Sequence, residues 1–322
     1  MAMTQLIGLD WGTTSLRAYR FDGSGQVIES RQQPSGILQI TDGGAGRSDG
    51  FERALDQVCG DWASADPGCP LLACGMIGSA QGWREAPYVE IPVSVDALGR
   101  ALTSVATARG ALHIVPGLIA RGPLPEVLRG EETQVAGVLE PGSGGPAADA
   151  WIGLPGTHAK WVRIRDRRVV GFHTFMTGEV FAALCAHTIL GRTMRPAAAP
   201  DLGAFDRGVA VARSPEGRLG VLSTMFSTRT LGLVGALAAE AQADYLSGLL
   251  IGHEVAALDQ LGERRERIVL VGDAALCERY RRALAASGHA PATIAARATE
   301  RGLWRIAAAA GLVAGAASSP AM

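Results

Sequence analysis

The chain has 322 residues, a length that suggests about two ordinary domains. With 48% hydrophobic and 19% charged residues it has the composition of a packed globule and not of a disordered chain. A formal net charge of -1 gives no global attraction to nucleic acid or anionic membranes, so any bound anion must be held by a local site.

In chain order, residues 5–10 and 15–21 read as strands across a glycine turn, and "DGSG" (22–25) leads into a third strand over 26–33. A loop over 41–50 precedes a helix at 51–63, then a buried strand over 70–78 that ends in glycines. A helix is expected within 93–106 and a strand at 111–118. "GEETQVAGVLE" (130–140) starts a helix with acidic residues at the favourable end of its dipole. A connection over 141–150 leads into "WIGLPGTHAKWVRI", a strand, turn and strand from 151 to 164. Helices follow at 177–191 and over much of 228–261. A strand, glycine turn and helix occupy 267–288, and a last helix fits 297–314. Each half thus opens with a strand-turn-strand hairpin followed by alternating strands and helices, which predicts an α/β protein with two similar lobes.

Localisation reads as cytoplasmic. No basic segment precedes an apolar stretch at the N-terminus, and the alanine-rich tail 306–317 is short for a bilayer span. Cys59, Cys69, Cys74, Cys185 and Cys277 show no Cys-x-x-Cys spacing, so free thiols are expected and a zinc site is not.

Three stretches suit phosphate chemistry. In "LDWGTTSLR", Asp10 ends a strand and Gly12, Thr13, Thr14 and Ser15 form a turn whose N–H and hydroxyl groups could cradle an anion, with Arg17 on the returning strand. A carboxylate at Asp10 could organise Mg²⁺ through retained waters. The second stretch, "GLPGTHAKWV", holds Gly156, Thr157 and His158, together with Lys160, the chain's single lysine. In "LVGDAAL", Gly272 and Asp273 lie between a strand and a helix. Taken singly, each is equally an ordinary turn; neither a Rossmann fingerprint nor a P-loop is present.

In this order the three stretches resemble the superfamily of sugar kinases, actin and heat-shock ATPases. The wording "IGLDWGTTSLRAY", "GMIGSAQGWREAPYV", "RGEETQVAG", "GLPGTHAKWV", "FMTGEVFAAL" and "LVGDAAL" is most similar to the 2-dehydro-3-deoxygalactonokinases. The resemblance implies a two-lobed, actin-like (ribonuclease H-like) α/β fold with a nucleotide cleft between the lobes. It places an N-terminal lobe at 1–130 and a C-terminal lobe at 131–301, with a helix at about 302–322 packing back on the first. It also implies ATP and Mg²⁺ as cofactors and phosphorylation of 2-dehydro-3-deoxy-D-galactonate at its 6-hydroxyl. Under it, Asp10 organises the metal. Gly12 to Ser15, Gly156 and Thr157 hold phosphates, with His158 and Lys160 nearby, and Gly272 and Asp273 contact adenosine.

The proton acceptor would be Glu132 or Glu131 at the start of the acidic helix, a departure from the aspartate common in this superfamily. Both glutamates equally suit a helix N-terminus. Gln81, Trp83, Arg84, Glu85 and Tyr88 form the expected sugar-acid loop, with a capped surface loop as its alternative. Small residues at 136–137 and 308–311 suggest two helices crossing closely as a hinge between lobes. Another sugar-acid, hexose or amino-sugar kinase, a nucleotide-switched ATPase or sugar-sensing regulator, and a two-lobed binding protein without chemistry stay open. So does a homodimer. No nucleic-acid or membrane partner is expected.

Overall fold

A computed structural model describes residues 3–41, 46–139, 149–261 and 266–314. The expected connection over 141–150 and the end of the tail fall largely outside these, as do residues 42–45 of the loop expected over 41–50; the rest of that loop is corrected, since the helix expected at 51–63 already starts at Arg47 and runs to Ala65. The chain divides into two compact units. One comprises residues 1–148, 164–171 and 295–322, and the other 149–163 and 172–294. The division therefore falls after the acidic helix at 131 and not before it.

The first unit runs β1 (Leu6–Trp11), β2 (Leu16–Phe21), β3 (Val27–Gln33), α1 (Arg47–Ala65), β4 (Leu71–Gly75), β5 (Val89–Glu90), α2 (Val95–Arg100), β6 (Thr103–Thr107), β7 (Gly110–Ile114), β8 (Leu118–Ala120), β9 (Glu126–Leu128) and α3 (Glu131–Val138). Its main sheet has the order β3-β2-β1-β4-β7-β6, and β5, β8 and β9 form a small second sheet. β1 pairs antiparallel with β2 and parallel with β4, which puts Asp10 opposite Arg17 on one side and Cys74 on the other. As a central strand it is buried on both faces, whereas the edge strand β3 alternates between half-buried and exposed. Ile7, Leu9, Trp11, Phe51, Leu55 and Trp62 pack α1 onto this sheet.

The second unit runs β10 (Ala150–Leu154), β11 (Ala159–Arg165), β12 (Arg168–Phe175), α4 (Thr177–His187), α5 (Leu202–Arg213), α6 (Val221–Thr224), α7 (Ser227–Leu233), α8 (Gln242–Leu258), β13 (Arg267–Leu270), α9 (Ala274–Ala286) and β14 (Thr293–Ile294). Its sheet order is β12-β11-β10-β13-β14, with β10 and β13 parallel. Each unit thus joins the first strand of a three-stranded meander to a parallel neighbour, the ribonuclease H-like arrangement that an actin-like fold uses twice. α10 (Ala298–Ala309) returns to the first unit.

Two expected helices are corrected. Only Val95–Arg100 of 93–106 is helical, because the alternating β-branched run at 103–107 pairs with β7 as an edge strand. The helix expected over 228–261 is two, α7 and α8, because Gly235 after the C-cap Val234 takes φ +72 and stops α7. The close helix crossing is corrected in part. α3 meets α10 at Gly137 and Gly302, within the first unit, while residues near 309 pack against Gly99 of α2. A Cβ on Gly302 would fall inside the van der Waals contact of the Thr133 carbonyl oxygen. Gly302→Ala is therefore expected to destabilise the chain by about 1–3 kcal/mol, read as a lower urea midpoint at unchanged slope.

Candidate active site

The first-unit site is built at the C-terminal edge of β1 and β4. Gly12 N–H donates to the Ser15 carbonyl at 2.9 Å and closes the turn between β1 and β2. The N–H groups of Ile37 and Leu38 hold its outer side, donating to the carbonyls of Gly12 and Thr13 at 3.0 and 3.1 Å. Thr13 and Thr14 stay exposed and Gly12 and Ser15 half-buried, so the turn's donors remain near solvent. Trp11 anchors the preceding residue, donating from Nε1 to the Ser35 carbonyl at 2.8 Å.

Asp10 is half-buried, 3.4 Å from Arg17. Burial raises its carboxyl above the usual carboxylate range; Arg17 opposes this, and Glu300 and Glu131 push it further up. These acids converge because two glycines let backbones approach. Gly75, at φ +92, leaves room for the Trp11 carbonyl, which a Cβ would meet at 2.8 Å. Gly130, at φ +105, turns the chain beside Gly75 Cα just before α3.

The two glutamates of α3 differ. Glu132 is 1% exposed, and its carboxylate accepts from Gly130 N–H at 2.6 Å and from Thr133 Oγ1 at 2.9 Å. Burial, with Glu131 adding to it, pushes Glu132 up to about 8 against those hydrogen bonds. Glu131 is half-buried and accepts from Arg129 N–H at 3.0 Å.

The expected sugar-acid loop lies beside this edge. Trp83 is a packing residue there, stacked on Phe51 at 5.5 Å and bonded from Nε1 to Ser48 Oγ at 2.9 Å. Gln81, Arg84 and Glu85 are exposed, and Tyr88 lies under the Arg129 guanidinium.

In the second unit, Gly156 and Thr157 form the turn between β10 and β11. Glu179 N–H donates to the Thr157 carbonyl at 2.9 Å, and Gly178 lies so close to Gly156 that a Cβ there would clash. His158 pairs with Glu179, both about half exposed. Lys160 is 5% exposed and donates to the His158 carbonyl at 3.1 Å, so its ammonium shapes the turn from within. Gly272, φ +150, passes the Pro155 carbonyl, which a Cβ would meet at 3.2 Å. Asp273 caps α9, accepting from Leu276 N–H at 2.9 Å.

A cavity of about 260 Å³ opens beside Gly156, lined by Thr177, Phe181, Ser247, Leu276 and Arg279 among others. Arg279 is held by Asp244 and lies over Phe205. Behind the cavity, Glu254, 3% exposed, accepts from Trp161 Nε1 at 2.7 Å, Tyr280 Oη at 2.8 Å and Thr177 Oγ1. It thereby joins β11, α4, α8 and α9. Sequence reasoning missed Arg279 and Glu254; the one available sign was an acid inside the apolar run of α8.

Two hairpins with Gly-Thr turns, each on the meander of a ribonuclease H-like unit, define an actin-like phosphotransferase of the sugar-kinase class. Within that class the chain belongs to the 2-keto-3-deoxy-galactonokinase family, whose sequence profile matches residues 10–306. It is 36% identical over 282 residues to a Rhizobium meliloti (strain 1021) protein assigned as a 2-dehydro-3-deoxygalactonokinase, covering 87% of this chain and 89% of that one. It is 33% identical over 283 residues to the 2-dehydro-3-deoxygalactonokinase of Escherichia coli (strain K12), covering 88% and 90%. A crystal structure of a Sinorhizobium meliloti protein assigned the same activity superposes with a TM-score of 0.83 at 34% identity, covering 94% of this chain and 98% of that one. Among the described residues no helix is long and apolar enough to cross a membrane.

Burial of Glu132 makes a stability prediction with a definite sign. Its folded pKa lies above the unfolded value, so the folded chain holds a proton that the unfolded chain releases. Stability from this group is full below about 4.5 and is lost as pH rises to about 8. Glu132→Gln keeps the neutral form at every pH. Its melting temperature relative to the parent should therefore climb between pH 5 and 8, by differential scanning fluorimetry; a constant offset would contradict the buried neutral acid.

Proposed function

We propose that this chain transfers the terminal phosphoryl group of ATP to the 6-hydroxyl of 2-dehydro-3-deoxy-D-galactonate in galactonate breakdown, in the cytoplasm. The observation that carries the reading is family membership over residues 10–306. The acids gathered beside the Gly12–Ser15 turn support the same chemistry.

Phosphoryl transfer asks the protein chiefly for positioning and charge neutralisation. The N–H and hydroxyl groups of Gly12, Thr13, Thr14 and Ser15, and those at Gly156 and Thr157, bind phosphate oxygens. Arg17 pairs with Asp10 beside the turn and opposes the rise that burial imposes on its carboxyl. Among the described residues no cluster of three or more metal-ligating side chains occurs. A site of one carboxylate, retained waters and the nucleotide's own phosphates suits Mg²⁺, with Asp10 as the protein's ligand. When bound, Mg²⁺ would neutralise charge on the phosphate oxygens. The adenosine lies in the cavity next to Gly156, against Phe181, Leu276 and Arg279, with Gly272 admitting close backbone approach.

Accessibility separates the two candidate bases. Glu131 is the half-buried member and takes the proton of the sugar hydroxyl, while Glu132, shielded and poised near neutrality, sets its position and charge. Gln81, Arg84 and Glu85 offer polar contacts to the sugar acid.

A coupled ADP-release assay over a panel of 2-keto-3-deoxy sugar acids and hexoses tests the reading. Turnover should be greatest with 2-dehydro-3-deoxy-D-galactonate; ATP binding without stimulation by any sugar acid would sink it. In the same assay Glu131→Gln should lower kcat by on the order of 10²–10⁴-fold at unchanged ATP affinity. Glu132→Gln, which imitates the neutral acid, should stay within about tenfold of the parent. The reverse ranking would move the base to Glu132.

A further inference from the structure

Arg129 stands directly before Gly130, at the entry to α3. Its backbone N–H donates to Glu131 Oε2 at 3.0 Å. Its Nη2 donates to the Ala86 carbonyl at 2.8 Å, and its guanidinium carbon lies 4.4 Å from the centroid of the Tyr88 ring. The residue therefore ties the 78–92 loop to the start of α3.

Its remaining donors are unusual. Nε and Nη1 are shielded from solvent, with no hydrogen-bond partner among the described residues. Gly78 makes the room for them, since a Cβ there would stand 2.8 Å from Nη1. A guanidinium keeps its charge at any working pH, and shielded N–H groups on a cation are costly to leave unpaired. The arrangement calls for an anionic acceptor between the loop and the acid pair. Arg84, by contrast, is exposed, and water can satisfy it.

We propose that Arg129 is the specificity-determining cation of the substrate site, taking the carboxylate of the sugar acid on Nε and Nη1, the donors that no described group occupies. This rests on the reading that the acceptor is a sugar acid. Tyr88, 39% exposed, lies against the face of the guanidinium, so the carboxylate is taken by the N–H groups in the guanidinium plane. The carboxylate end of the substrate is then fixed by Arg129, and its far hydroxyl is left for Glu131. A neutral sugar of the same shape cannot pair the cation, which selects against it.

The test compares kcat/KM for 2-dehydro-3-deoxy-D-galactonate and for its neutral carboxamide in the parent and in Arg129→Gln, with KM for ATP measured alongside. The expected result is a loss on the order of 10²-fold or more for the acid and a change within about threefold for the carboxamide, at unchanged KM for ATP. Equal losses on both substrates would make Arg129 a structural clamp and overturn the proposal. A selective loss in Arg84→Gln but not in Arg129→Gln would transfer the role to Arg84. If Arg129→Gln melts near the assay temperature, Arg129→Lys keeps the charge without the fork. It should show the same selective loss, smaller, and no selectivity there also overturns the proposal. A parent enzyme idle on every sugar acid defeats the functional reading itself, an outcome separable from all of these.

Discussion

The close approach of two glycine backbones, Gly75 at the end of β4 and Gly130 ahead of α3, is the constraint on which the first-unit site depends. Side chains at either position would push apart the Trp11 carbonyl, the β4 terminus and the entry to α3. Without that approach Glu131 and Glu132 would not arrive next to the strand that ends in Asp10. The convergence is electrostatically uphill, since burial and like charges both raise Asp10 and Glu132. Arg17 offsets it at Asp10. At Glu132 the result is a group near its neutral form, which lessens the repulsion around Glu131. A shielded acid beside an accessible one gives the two α3 glutamates separate roles in phosphoryl transfer.

The second unit solves a different problem with the same means. Its turn is fixed by Gly178, which brings the start of α4 onto Gly156, and by Lys160, which binds the His158 carbonyl from inside. Glu254 then locks α4 to β11 and α9 through Thr177, Trp161 and Tyr280. Burial raises its carboxyl, and the hydrogen bonds from Thr177, Trp161 and Tyr280 oppose the shift. A buried carboxyl hub that joins several elements is costly alone and worthwhile only when fully bonded. It leaves the cavity beside Gly156 with walls set by one network.

Much of this was legible in the sequence because it is local. The hairpins at Asp10–Arg17 and Gly153–Lys160, the glycine turn at Gly272 and the acidic start of α3 all announce themselves within about ten residues, where turn chemistry and strand alternation operate. What escaped depends on long-range pairing. Arg129 gains its meaning from Ala86 and Tyr88, Arg279 from Asp244, and Glu254 from residues on three other elements. No local pattern marks such partners. The misread helices have local causes that were outweighed. The run at 103–107 has room for either structure until β7 offers an edge, and Gly235 breaks a pattern that is otherwise helical. Gly137 was recognisable as a close-contact residue, but it meets the first turn of α10, the Ala298 carbonyl and Gly302, and not the small residues at 308–311.

If the glycine junction places the acid pair, Gly130→Ala must disturb catalysis while leaving nucleotide binding intact. The backbone there has φ +105, which an L side chain rarely adopts, so alanine should turn the entry to α3 without touching the phosphate turns. In this variant kcat is expected to fall by on the order of 10²-fold or more, while the dissociation constant for ATP changes by less than about threefold and the chain stays folded. Near-parental kcat in a folded Gly130→Ala chain would mean that the junction does not place the acids.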